Sequence, residues 1–180
     1  MNGNRLNYNI ITLLSGFLFV LLSSPVDAGP DSSPITGNYK LNEEESDDFL
    51  EAFEDQLEEM GRITRRVARV LINRRGGHAE EVKIEISDDT VIFQADENDP
   101  IHFPADGSEI THINDSGDEM KGRAELEGNR LRISMMGNSG GSVTEYQLND
   151  NGDKLNVDRK IEVGRLAEAV EFQVVYDRAG

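Results

Sequence analysis

Hydrophobic and polar positions follow three successive patterns along the chain. An uncharged, mainly apolar run extends from Ile10 to Leu22, with Arg5 the only charge before it. After a short polar lead, Phe49, Phe53, Leu57, Met60, Ile63, Val67 and Leu71 recur at spacings of three and four. That spacing puts them on one stripe of a helix. From Val82 onward the period becomes two. Val82, Ile84 and Ile86 alternate with Lys83 and Glu85, and Val91, Phe93 and Ala95 repeat the pattern after the Asp88-Asp89 turn. Ile101 and Phe103, then Glu109 to Ile113, form short strands. Met120, Gly122, Ala124 and Leu126 share a face, and Leu131, Ile133 and Met135 return after Gly128-Asn129. Tyr146 and Leu148 follow a glycine-rich stretch, Gly137 to Ser142, which reads as a flexible loop. Asn151-Gly152 is a further hairpin signal. Leu155, Val157, Ile161 and Val163 line one strand face, and Phe172, Val174 and Tyr176 line the last.

Before the helical stripe, Gly37 to Leu41 reads as a first strand with Tyr39 and Leu41 on one face. Asn42 with Glu45 three residues on has the form of a capping box, which predicts a helical segment over about 43–75. Acidic residues crowd its first half and Arg62, Arg65, Arg66, Arg69, Arg74 and Arg75 its second, in the order that complements the helix dipole. Gly61 offers a break into two helices, and Gly76-Gly77 ends the segment.

The predicted order is one strand, a helical segment, and about nine further strands joined by tight turns. Each strand is apolar on one face only. A meander of that kind hides its apolar face and its edges by closing on itself. The expectation is a mainly β protein: a single antiparallel up-and-down β-barrel of about eight to ten strands, capped by the helical segment after the first strand.

The N-terminal run is shorter than the roughly 20 residues of a spanning helix and has the length of a signal-peptide core. Val26-Asp27-Ala28 supplies a cleavage site, so residues 1–28 read as a signal peptide and 29–180 as one barrel domain. Retention of the run as an anchor is the alternative. Cleavage leaves no stable membrane span and places the protein in a secreted or periplasmic setting. The chain has no Cys, so core packing rather than disulfides must hold it. With 35 acidic against 18 basic residues its net charge is −17, which excludes nucleic acid as a partner and favours solubility or a basic protein partner.

No nucleophile motif, phosphate loop or dinucleotide fingerprint is present, so the chain reads as a non-enzyme without a cofactor. His78, His102 and His112 lack metal-ligand spacing and read as surface or rim residues; no metal site is expected. Asn149 to Asp153 has part of a calcium loop but lacks its distal Glu, and a hairpin turn accounts for it. Arg159 interrupts the apolar face of Leu155, Val157 and Ile161. An inward guanidinium needs an acceptor: a bound carboxylate, an internal acidic residue, or solvent reached through a bulge. Tyr146 and Tyr176 lie on apolar faces and could present hydroxyls to a cavity, or be ordinary core tyrosines. Phe93, Phe103, Met120 and Met135 on the strands, with Phe53 from the helix, complete the candidate lining.

Gly37-Asn38-Tyr39-Lys40-Leu41, Asp47 to Phe53, Gly61 to Ala68, and Val175-Tyr176-Asp177-Arg178 occur in an order that resembles the calycins, a superfamily that includes the lipocalins. It looks most like the fatty-acid-binding proteins, whose two helices cap a ten-stranded barrel between the first and second strands. The resemblance implies a lumen for a fatty acid. In that family an Arg two residues before a Tyr on the last strand anchors the carboxylate, with a second Arg on an earlier strand. Here Tyr176 is present, Val174 occupies the first Arg position, and Thr144 or Glu145 the second.

The expected function is that of an exported binding protein holding a fatty acid or other lipid-like molecule inside the barrel. The alternative is an acidic protein–protein interaction module with a filled core and no ligand. N-terminal sequencing of the exported protein is expected to start at Gly29 or within a residue or two of it; a membrane-embedded product starting at Met1 would refute cleavage.

Overall fold

Alternation of apolar and polar residues closes the chain into a barrel. The computed structural model describes residues 33–58, 77–114, 117–138, 140–164 and 168–180. The N-terminal run and the second part of the helical stripe, from Met60 to Leu71, lie outside the described residues. Strand β1 (Gly37–Leu41) is followed by helix α1 (Phe49–Glu58), then β2 (Glu81–Ile86), β3 (Thr90–Ala95), β4 (Ile101–Pro104) and β5 (Ile110–Ile113). The chain continues through β6 (Glu119–Glu127), β7 (Arg130–Gly137), β8 (Gly140–Leu148), β9 (Lys154–Val163) and β10 (Val170–Arg178). All ten strands form one antiparallel sheet in the order β4-β3-β2-β1-β10-β9-β8-β7-β6-β5.

The first strand therefore pairs with the last, Tyr39 opposite Arg178 and Leu41 opposite Tyr176. Strands β4 and β5 are the two edges, and no ladder joins them among the described residues. Side chains close that seam. A Cβ added at Gly122 of β6 would lie 2.7 Å from Met135 Sδ, 3.0 Å from Phe103 Cε1 and 3.1 Å from Ile110 Cγ1, so β4, β5 and β7 converge over bare backbone.

Inward residues stack in cross-strand rows. Val174, Val157, Tyr146, Leu131 and Leu126 face one another in register across β10 to β6. The end formed by the start of β1 and the close of β10 is sealed by Ile35 and Tyr39, both buried. The Tyr39 hydroxyl donates to Ile35 O at 2.7 Å and accepts from Arg178 Nη2 at 2.7 Å. The same Nη2 donates to Pro34 O and Thr36 O, and the guanidinium lies over the Tyr39 ring.

Two local expectations are corrected. The helix starts at Phe49, not just after Asn42. Asn42 and Glu45 do form the side-chain and backbone contacts of a capping turn, but the following residues bond to β10. Val175 N donates to Ser46 Oγ at 2.9 Å, Gln173 N donates to Asp47 Oδ2 at 2.7 Å, and Asp47 N donates to Gln173 O at 3.0 Å. Only beyond them is the backbone free to turn, and Asp48 Oδ1 caps the helix by accepting from Leu50 N and Glu51 N. The second correction concerns Gly137 to Ser142: β7 runs to Gly137 and β8 already starts at Gly140, with Gly137 opposite Gly140, so strand takes the place of most of the expected loop. Gly140 adopts φ +135°, and a Cβ there would sit 2.0 Å from Glu162 O, so glycine lets three strands approach where a loop was expected.

The helix covers the barrel end at which β10 begins. Phe53 and Leu57 are buried, Phe49 is partly buried, and Leu50 faces outward. Phe53→Ala is expected to lower stability by about 3–5 kcal/mol, and Leu50→Ala by less than about 1 kcal/mol. Paired denaturant titrations measure the difference; equal midpoints would place the Phe53 ring in solvent.

Candidate ligand-binding site

Strand β9 carries a cation in its inward-facing phase. Leu155 and Val157 are buried, and Arg159 follows on the same face. In register, Arg159 stands between Thr144 of β8 and Phe172 of β10, and the row continues to Ile133 and Ala124. Thr144 and Phe172 are both buried. The Arg159 guanidinium lies 5.9 Å from the Phe172 ring centroid. Its Nε is buried without a hydrogen-bond partner. Among the described residues no carboxylate pairs with it, which leaves the internal ion pair unsupported.

Tyr146 and Tyr176 flank this charge. Burial pushes the Tyr146 phenol far above its usual range, with Arg159 opposing and Tyr176 adding to the shift. Burial pushes Tyr176 up to about 12, Arg159 again opposing and Asp96 adding. Both therefore remain neutral donors at any physiological pH. The Phe93 ring packs 5.3 Å from that of Tyr146.

The other predicted lining residues divide between two places. Phe103 and Met135 meet over Gly122 and fill the β4–β7 side, and Met120 lies against Gly137 at the end of β7. Phe53 belongs to the lid: its ring is 5.0 Å from Phe49, which stands edge-on to Phe172 at 5.5 Å. Thus Arg159, Tyr146, Tyr176 and Phe93 come together, Phe53 reaches them through Phe49 and Phe172, and Phe103, Met120 and Met135 line the opposite wall.

The sequence reading passed over Thr144, Phe49, Phe172 and His78 as parts of this site. A polar residue, Thr144, on the inner face of β8 was a usable signal. His78 had none, because its position depends on residues far along the chain. It packs 5.8 Å from Phe49 and 5.5 Å from Phe172, and its Nε2 lies 2.8 Å from Asp47 O.

A groove of about 670 Å3 also reaches Arg159 and Phe172, but its walls include Arg132, Glu145, Lys160 and Glu171 on the outer face of β7–β10. Outward charges and the Lys160–Glu171 ion pair at 2.8 Å make it a polar surface feature rather than the lumen.

The raised phenols set a pH dependence. With Tyr176 near 12 in the fold and about 10 when unfolded, the folded state holds the proton longer. Stability is then fully present below about pH 10 and is lost as pH rises toward 12. Tyr176→Phe is expected to remove up to about 2–3 kcal/mol of that alkaline loss. Denaturation curves at successive alkaline pH values measure it; an identical loss in parent and variant would mean that the hydroxyl ionises freely in the fold.

No protein-family description and no curated protein sequence matches the chain. Solved structures do. A secretary abundant heat soluble protein from Ramazzottius varieornatus is 17% identical, with a TM-score of 0.59 and coverage of 83% of this chain and 98% of that one. Apo lipid binding protein 8 from Caenorhabditis elegans is 15% identical, with a TM-score of 0.54 and coverage of 83% and 98%. A fatty acid binding protein from Schistosoma mansoni, in complex with arachidonic acid, is 18% identical, with a TM-score of 0.52 and coverage of 82% and 98%. At these identities the likeness is one of fold: the chain folds as a calycin-like barrel, as these solved structures do.

Proposed function

We propose that this chain is an exported, non-enzymatic binding protein that holds a small hydrophobic molecule bearing a carboxylate. The observation that carries the reading is the buried Arg159 Nε, which has no partner among the described residues. A buried guanidinium nitrogen without an acceptor is unfavourable, and a ligand carboxylate would offset that cost by a charge-assisted hydrogen bond. Tyr146 and Tyr176 supply neutral hydroxyl donors near it. Phe103, Met135 and Ile110 crowd over Gly122, so on this reading the hydrocarbon lies toward β8–β10 and the lid. Solved barrels of this shape include one in complex with arachidonic acid. Export rests on the N-terminal apolar run and the Val26-Asp27-Ala28 cleavage site.

A second reading, an acidic module that docks a basic protein, draws on the net charge of −17 and on the filled β4–β7 side. The two separate on the interior. In titrations of delipidated protein with a fluorescent fatty acid, Arg159→Leu is expected to weaken binding roughly ten- to a hundred-fold. The melting temperature is expected to hold or rise, because the variant removes an uncompensated charge. A steep loss of stability, together with no fatty-acid binding by the parent protein, would overturn the lipid reading in favour of the module.

A further inference from the structure

The barrel mouth holds a second buried polar atom without a partner, and its hydrogen-bonding character follows from its neighbour. His78 Nε2 is 2.8 Å from Asp47 O. A backbone carbonyl can only accept, so Nε2 carries the hydrogen. In the neutral ring Nδ1 is then a bare acceptor, and it is buried with no partner among the described residues. The ring cannot easily turn away. It stands edge-on to Phe49, 5.8 Å between centroids, and lies 5.5 Å from Phe172. The Asp47 segment that holds it is itself pinned to β10 through both backbone and side chain of Asp47.

Phe172 is the common neighbour of the two orphaned groups, with His78 and the Arg159 guanidinium both within 6 Å of its ring centroid. Around Phe172 stand one unsatisfied donor, Arg159 Nε–H, and one unsatisfied acceptor, His78 Nδ1. A plain fatty-acid carboxylate is acceptor-only and answers the first but not the second.

We infer that the ligand is a hydroxylated lipid acid, its carboxylate held by Arg159 and its hydroxyl donating to His78 Nδ1. This rests on the lipid-acid reading above and narrows it to a chemical class. A site that offers a buried acceptor to a ligand hydroxyl discriminates against the analogue that lacks it, because binding the analogue leaves the acceptor dry and unpaired.

The experiment compares palmitate with 3-hydroxypalmitate as competitors of a fluorescent fatty acid, on the delipidated full chain after export. The parent is expected to bind the hydroxy acid at least about tenfold more tightly. His78→Phe keeps the aromatic packing on Phe49 and Phe172 and removes Nδ1; it is expected to abolish the preference while leaving palmitate binding within about threefold. His78→Leu, which likewise lacks any acceptor, replaces it should the Phe variant not fold. Equal affinities in the parent would overturn the inference and leave the fatty-acid reading standing. A preference that persists in the folded His78 variant would overturn the assignment to Nδ1. Binding of neither acid would overturn both this inference and the reading on which it rests.

Discussion

The pairing of β1 with β10 holds the two parts of the molecule together. The sheet runs outward from that ladder in both directions, to β4 on one side and β5 on the other. Without it, β1–β4 and β5–β10 would be two separate meanders, each with an exposed apolar face. The chain reinforces the ladder from both ends. Arg178 reaches back to Pro34, Thr36 and Tyr39 at its base. Asn42 N donates to Val175 O, and Ser46 and Asp47 continue the contacts toward the mouth. The lid is thus seated by the same strand that closes the barrel.

Against this well-satisfied frame, the unpaired groups at the mouth stand apart. Arg178 and Arg159 both present a buried Nε without a partner, yet their situations differ. The Arg178 terminal nitrogen makes three hydrogen bonds and fixes a closed end. The Arg159 guanidinium lies over the Phe172 ring, and its Nε has no partner among the described residues. Polar groups left incomplete inside a fold are retained where something other than folding uses them. On the proposed reading, Arg178 serves the closed end of the barrel and Arg159 the ligand.

Much of the architecture was legible because a strand with one wet face writes its orientation into the sequence at every second residue. Val82 and Ile84, Leu131 and Ile133, and Leu155 and Val157 all face inward as their alternation requires. Arg159 was legible for the same reason: it breaks the alternation in chemistry but not in phase. The misread points are those where distant strands override a local signal. Asn42 and Glu45 satisfy the capping pattern, yet hydrogen bonds to Gln173 and Val175 tie the next residues to β10 and delay the helix. Gly137 to Gly141 read as flexible because glycine permits a loop, whereas here it permits close strand approach. His78 was not legible as a site residue, since its role depends on Asp47 O and on Phe172 at the other end of the sequence.

Closure by the first and last strands also fixes when folding can finish. Tyr39 and Arg178 are 139 positions apart, so their contact closes nearly the longest loop the domain contains. Contacts of such separation form late and slow the overall rate. A chain emerging N-terminus first, from a ribosome or through a membrane pore, has every strand but the last available and still cannot complete its cylinder. It stays threadable until its final nine-residue strand arrives, and the order of synthesis then acts as a timer on compaction.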